Sequence, residues 1–251
     1  MTFRGIFFAA IASFVLAALN LSPNPAAAQT FDESQKKAIE AIIHDYLLAN
    51  PEVILKSVRE HSQRQEMSKQ DQIKQKLLKF SDILKNNSGS PVTGNPKGNV
   101  TVVEFFDYRC PYCKKMVPTI EQLLKDDKDI RYVFKEYPIL GPVSEIATRA
   151  SLAMWSIDPA KYMAFHTAVM TSRGQLDEAR IFKIAQQVGY DADEVRGKMK
   201  DAAVNNEIAT NMRLAGELGL SGTPAFIIGQ HVVPGAVDLA TLKQLVQAAR
   251  K

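Results

Sequence analysis

Hydrophobic positions change their spacing several times along this chain, and each change marks an element. The first apolar run, Ile6 to Leu21, is interrupted only by Ser13 and Asn20, follows the lone basic residue Arg4 and ends in Ser22-Pro23-Asn24-Pro25-Ala26-Ala27-Ala28. Roughly sixteen apolar residues closed by prolines and small residues are short for a membrane span and predict an export signal over residues 1–28, cleaved before Gln29. No cysteine follows the run, which excludes lipid attachment there. From Asp32, a candidate N-cap, Ala38, Ile39, Ile42, Ile43, Tyr46 and Leu47 recur at helical spacing until Asn50-Pro51. Pro51 can open a second helix bearing Val53, Ile54, Leu55 and Val58. Arg59 to Lys76 is almost wholly polar, and a helix polar on all sides either bridges solvent or does not hold. Leu77, Leu78, Phe80, Ile83 and Leu84 make a short apolar close before Asn86-Asn87-Ser88-Gly89-Ser90-Pro91, a linker by composition.

After Pro91 the pattern alternates between strand and helix. Val100 to Phe106 reads as a buried strand, and the helix after it carries Met116, Val117, Ile120, Leu123 and Leu124. Ile130 to Tyr137, aromatic and β-branched, is a second strand, and a βαβ unit of this length implies parallel strands joined by a right-handed crossover. From about Pro142 to Leu218 the spacing is helical, broken once at Gly189-Tyr190-Asp191. Ala225 to Ile228, Gly229-Gln230 and His231 to Val233 predict a hairpin with a two-residue turn, and a last helix runs from Asp238 to Arg250. The expected class is α/β, with residues 29–88 as an N-terminal helical region and 91–251 as a domain holding a helical insertion at about 142–218.

Composition sets bounds. Loss of residues 1–28 removes Arg4 and no acidic residue, so the formal charge falls from +4 to about +3, too weak an excess to suggest a nucleic-acid partner. Roughly 220 remaining residues can bury one good core plus an appendage. Residues 29–88 carry two small apolar faces and no core, so the stripe must pack on the main domain or on a copy of itself; self-association through residues 32–85 is expected, with the polar stretch as a stalk.

The chemistry is concentrated in Cys110-Pro111-Tyr112-Cys113, which holds both cysteines. A strand that delivers C-x-x-C to a helix start is a thiol-disulfide redox site. Two intervening residues in the first turn let the sulfurs meet, while free N–H groups and the positive macrodipole end favour a thiolate at Cys110. Pro111 sits where its missing N–H costs least. A structural disulfide closing so short a loop would be a poor staple. Zinc wants about four ligands, and His44, His61, His166 and His231 show no ligand spacing. Haem attachment would want a histidine where Lys114 stands. No metal or organic cofactor is expected, and an export signal places the dithiol where disulfides persist.

The C-x-x-C at a βα junction, the helical insertion, Gly222-Thr223-Pro224 before the hairpin and the terminal helix together resemble the DsbA-like thiol-disulfide oxidoreductases of the thioredoxin superfamily. Tyr46-Leu47-Leu48-Ala49-Asn50-Pro51-Glu52-Val53 is similar to the amino-terminal region of ScsC-type and Com1-type members. The resemblance implies a thioredoxin fold, Cys110 as attacking thiolate, Cys113 as resolving thiol and Glu104 as a buried acid that relays a proton to Cys113. It also implies a cis Thr223-Pro224 beside the disulfide, so that Thr223, Pro224, Pro111 and Tyr112 form the substrate-binding surface. Glu104 on an alternating strand could instead face solvent. Arg109 is expected to add positive potential, and Asp107, nearer the turn, is read as solvated or capping.

Strong oxidases of the family carry histidine where this chain has Tyr112, and a threonine before the proline with an oligomerising N-terminus is more like the isomerases. The expectation is a periplasmic isomerase or reductase acting on misoxidised exported proteins and recharged by a membrane redox partner. A DsbA-like oxidase, a Cu(I)-binding role for the same dithiol and a surface or adhesive protein are the other readings.

Overall fold

The computed structural model describes residues 31–250; the expected export signal lies outside them. The chain forms two compact units, one ending at Ser62 and one starting at Gln63. In the first, helix α1 (Glu33–Ala49) begins at Asp32 with a capping box: Asp32 accepts from the Gln35 N–H, and the Gln35 side chain accepts from the Asp32 N–H. Asn50 closes α1, and Pro51 opens α2 (Pro51–Lys79), as the sequence predicted. No residue of α1 is buried, and Ile42, Ile43, Tyr46, Leu48, Leu55 and Val58 are exposed.

The polar stretch of α2 is helical throughout. Lys, Gln, Glu and Arg are good helix formers, and side-chain pairs such as Gln70–Glu66 and Gln72–Ser68 bridge successive turns. The far end of α2 is held by burial of Leu77 and by the Lys76 ammonium on the Glu217 carbonyl at 2.6 Å.

The second unit is built on a five-stranded sheet of order β1-β3-β2-β4-β5, with β1 Val92–Gly94, β2 Val100–Phe106, β3 Ile130–Glu136, β4 Ala225–Ile228 and β5 His231–Pro234. β2 and β3 run parallel, joined through α4 (Pro111–Asp126), and every other pairing is antiparallel. The short β1 has only three residues, too few to show periodicity in the sequence. At the β4–β5 turn Gly229 has φ +60, and a Cβ there would lie 2.8 Å from that of Ala249, so glycine fits on both counts.

Strand parity divides the core. Val102, Phe106, Tyr132 and Phe134 face one side with Met116, Leu123, Phe165 and Val246, whereas Val103, Phe105 and Val133 face the other with Leu77, Phe80, Leu84, Leu214 and Leu218. The predicted helical insertion is divided more often than expected, into α5 (Pro142–Ile157), a 3-10 turn (Pro159–Lys161), α6 (Tyr162–Met170), α7 (Glu178–Gln187), α8 (Ala192–Lys198) and α9 (Ala202–Glu217). Asp158 and Asp177 cap two of the new starts, and Asp191 caps the one that the expected break at Gly189-Tyr190-Asp191 predicted. Helix α10 (Leu239–Ala249) closes the chain from its Asp238 cap.

Two expectations for the N-terminal region change. Leu77, Phe80 and Leu84 belong to the second core cluster, so the end of residues 32–85 is spent on the domain and not on a partner. The segment read as a linker is tied down: Ser90 is buried, and its hydroxyl and the Asn87 amide both donate to Glu207 of α9, at 2.6 and 2.5 Å. Glu207 also pairs with the fully buried Lys135 at 3.5 Å, whose ammonium donates to the Ile83 carbonyl. Removing one partner of a buried ion pair leaves an uncompensated charge. Glu207→Ala is expected to destabilise the protein by about 3–5 kcal/mol, read as a lower urea midpoint, and Lys135→Met on that background should recover most of the loss.

Candidate functional site

β2 ends at Phe106, and the chain turns through Asp107-Tyr108-Arg109 to deliver Cys110 as the N-cap of α4. Pro111 takes the first helical position, as predicted. The Cys113 N–H donates to Cys110 Sγ at 3.4 Å, and Cys110, when protonated, donates its S–H to the Thr223 carbonyl at 3.1 Å. The Thr223–Pro224 peptide is cis, with Pro224 buried and Thr223 half-buried beside the thiol. Cys110, Cys113, Thr223 and Pro111 are therefore brought together. Tyr112 sits among them, 58% exposed, with the Lys115 ammonium 5.4 Å from its ring centroid.

The two cysteines differ electrostatically. The side-chain hydrogen bond from Cys113, aided by Thr223 and by the backbone N–H groups of Cys113 and Tyr112, holds Cys110 down at about 5 against the opposing effect of burial. Burial pushes Cys113 far up, helped by its donation to Cys110 and by the charge on Glu104. One group is a thiolate at neutral pH and the other a thiol.

Glu104 points into the core and not to solvent. It shares parity with Val102 and Phe106, is 1% exposed, and burial raises its carboxyl to about 8, opposed by a hydrogen bond from Tyr132. A cavity of about 30 Å³ lies between it and Cys113, walled also by Val117, Phe134, His166 and Met170. His166 is buried, stays neutral because burial lowers it to about 3, and lies 3.3 Å through Nδ1 from the Tyr108 hydroxyl.

Two polar neighbours depart from expectation. Arg109 directs its guanidinium at the Leu140 carbonyl, and the ionisation of Cys110 is set by hydrogen bonds instead. Asp107 is fully buried, so of its two expected roles it is not solvated but does cap backbone N–H groups. Its Oδ1 accepts from the Arg109 N–H and the Ser144 hydroxyl at 2.7 and 2.8 Å, and its Oδ2 accepts from the Ile139 and Leu140 N–H groups at 2.9 and 3.0 Å. The carboxylate thus pins the loop after β3 to the turn that carries Cys110, leaving Leu140 40% exposed. Sequence reasoning missed this role, and the signal was small: an acid directly after an all-buried strand.

The described residues contain no group of three or more histidine, cysteine or acidic side chains placed to hold a metal. What the arrangement can do is exchange disulfides, with a ready nucleophile above a shielded thiol and a proton-accepting carboxyl beneath.

Residues 101–247 match the family model of the DSBA-like thioredoxin domain. The chain belongs to the DsbA-like thioredoxin family. Residues 35–67 match a second model, the copper resistance protein ScsC N-terminal domain. Among solved structures, a thioredoxin-like oxidoreductase from Silicibacter pomeroyi is 43% identical over 67% of this chain and 96% of its own, with a TM-score of 0.65. BcfH of Salmonella enterica Typhimurium is 31% identical over 87% of this chain and 97% of its own, with a TM-score of 0.71. A Proteus mirabilis ScsC variant is 29% identical over 89% and 98%, with a TM-score of 0.67. Among curated relatives, the Na(+)/H(+) antiporter NhaA 1 of Salinispora arenicola is 29% identical over 63% of this chain; the chain spans about a quarter of that relative, 24%. The thiol:disulfide interchange protein DsbA of Bordetella pertussis is 25% identical over 66% of this chain and 84% of its own.

The sign of the Cys110 shift gives a direct test. A thiol lowered below its unfolded value stabilises the reduced fold fully above the unfolded pKa, and that stabilisation is lost as pH falls through the folded value near 5. Alkylation of the reduced protein should therefore modify Cys110 alone, with a rate that is flat at neutral pH and falls through an inflection near 5. An inflection above 8 would mean that the helix start does not hold a thiolate.

Proposed function

We propose that this protein is an exported thiol-disulfide oxidoreductase that acts chiefly as an isomerase or reductase on misoxidised proteins. The observation that carries the reading is the opposite displacement of two thiols one helical turn apart, Cys110 down and Cys113 up. The Cys110 thiolate attacks a client disulfide, a mixed disulfide forms, and one client sulfur leaves as a thiolate. A client thiol then resolves the adduct to a new pairing, or Cys113 gives its proton to Glu104, attacks Cys110 Sγ and releases reduced client. Thr223 and Pro224 with Pro111 and Tyr112 receive the client as an extended segment.

Milder oxidising power than the strongest oxidases fits the site. A thiolate at about 5 lies between the values of about 3.5 and about 7 that accompany strongly oxidising and reducing sites, and Tyr112 cannot supply an imidazolium donor. The copper reading gains the description of the matched N-terminal model, but the dithiol brings two sulfurs and no third histidine, cysteine or acidic donor among the described residues. Periplasmic residence agrees with the expected export signal, with a relative described as a periplasmic thioredoxin-like protein from Salmonella enterica, and with the lack of any helix among the described residues long and apolar enough to cross a membrane. Recharging is assigned to a membrane redox partner.

The purified protein starting at Gln29 should restore ribonuclease activity from a scrambled-disulfide substrate in glutathione buffer, well above buffer alone. Cys110→Ser should abolish this and Cys113→Ser should accumulate client adducts. Failure with scrambled substrate but fast oxidation of a reduced one would transfer the assignment to a DsbA-like oxidase.

Self-association is assigned to the exposed apolar residues before Ser62: Ile39, Ile42, Ile43, Tyr46, Val53, Ile54 and Val58. Several sites around one client would raise local concentration without a new contact. Sedimentation should give an oligomer that Ile43→Glu reduces to monomer while thiolate titration is unchanged; a monomeric parent protein would end the idea.

A further inference from the structure

Glu104 uses only one of its two oxygens for a hydrogen bond. Oε2 accepts from the Tyr132 hydroxyl at 2.7 Å, whereas Oε1, equally buried, has no hydrogen-bond partner among the described residues. Tyr132 reaches it by strand register: on β3 it lies two residues before Phe134, the cross-strand partner of Glu104, and shares its face. Tyr132 is fully buried and does not line the cavity between Glu104 and Cys113. A cavity of about 30 Å³ is large enough for a single water, and the carboxyl and thiol are polar groups on its wall.

We propose that Tyr132 is the positioning residue of the resolving step, holding Oε2 of Glu104 so that Oε1 faces the cavity and takes the Cys113 proton there through one water. The inference rests on the reading of Glu104 as the base for Cys113. The Cys113 S–H proton passes to Oε1, the freed sulfur pair attacks Cys110 Sγ, and the bond from Cys110 to the client sulfur breaks. The client sulfur leaves with that bond's electron pair, so the client disulfide is reduced and the Cys110–Cys113 pair is oxidised. Tyr132 only donates: its own ionisation is pushed well above the ordinary value by burial and by Glu104, so it stays a phenol throughout.

The other titratable groups facing Glu104 do not compete for the proton near neutrality. Glu136, on the same face of β3, is also raised to about 8 by burial, but it accepts from the Tyr162 hydroxyl and does not line the cavity; Tyr108, in the turn after β2, is held as a neutral phenol, and His166, on α6, is held neutral. Cys113 is the proton donor itself, Cys110 is bonded to the client during this step, and Glu121 of α4 stands at the exposed wall of the cavity.

The test is stopped-flow reaction of the reduced protein with an aromatic nitrobenzoate disulfide, whose first thiolate is released by Cys110 and whose second is released by Cys113. In the native protein the second phase should accelerate through an inflection near 8. Tyr132→Phe removes one hydrogen bond to a charged group, so the inflection should move up by about one pH unit and the second phase at pH 7 should slow about tenfold. The first phase should be unchanged, because Glu104 is protonated near pH 5 in both proteins. Glu104→Gln should lose the inflection, and adding Tyr132→Phe to it should do nothing more. A native second-phase profile in Tyr132→Phe, or equal slowing by Tyr132→Phe with and without Glu104, overturns the positioning role while leaving Glu104 as base. An unchanged profile in Glu104→Gln overturns the base and the inference together.

Discussion

The site depends on one constraint: β2 is buried on both faces and nonetheless carries a carboxyl among its apolar side chains. A carboxylate desolvated there is costly, so the group keeps its proton until about pH 8. That leaves it neutral when the Cys110 thiolate forms and ready to accept a proton near the pH at which the protein would work. Were β2 an edge strand with one solvated face, the same residue would be an ordinary surface acid. The flanking strands β3 and β4 and the covering helix α4 are thus part of the chemistry.

The thiols obey the same logic with opposite results. Cys110 is also little exposed, but the donors at the start of α4 outweigh its desolvation; Cys113, one turn further in, has too few donors to offset its burial. Burial alone therefore does not decide the role of either sulfur. Hydrogen-bond supply decides it, first from the Cys113 thiol, then from Thr223 and the free N–H groups at the helix terminus. The cis Thr223–Pro224 segment closes the other side of Cys110, and Asp107 fixes the turn from below, so the nucleophile is held by three separate stretches of chain.

Much of this was legible in sequence because local rules and tertiary position agreed. Cys110 and Pro111 sit where helix-start chemistry wants them, Asp32 caps α1, and the Gly229–Gln230 turn fixes the hairpin register. The parity of Glu104 with Val102 and Phe106 was readable, although the direction of that face was not, since a strand buried on both sides has no polar face for comparison. Tyr132 and Asp107 were not legible as site residues. Each acts through a partner distant in sequence, and a tyrosine in an aromatic strand or an acid before a turn has an ordinary explanation. The break at Gly189-Tyr190-Asp191 was legible, but those at Asp158-Pro159 and between Gly174 and Asp177 were not, because apolar residues keep helical spacing on both sides of them.

The N-terminal region carries the same lesson about polarity. Arg59 to Lys76 has too few apolar residues to pack, yet it is helical, because propensity and short-range pairs sustain a helix once its far end is held by Leu77. Leu77, Phe80, Leu84 and the Lys135–Glu207–Ser90 cluster make that hold a matter of core packing and a satisfied buried ion pair. Residues 77–90 therefore belong mechanically to the second unit, whereas most of the exposed large apolar residues lie before Ser62.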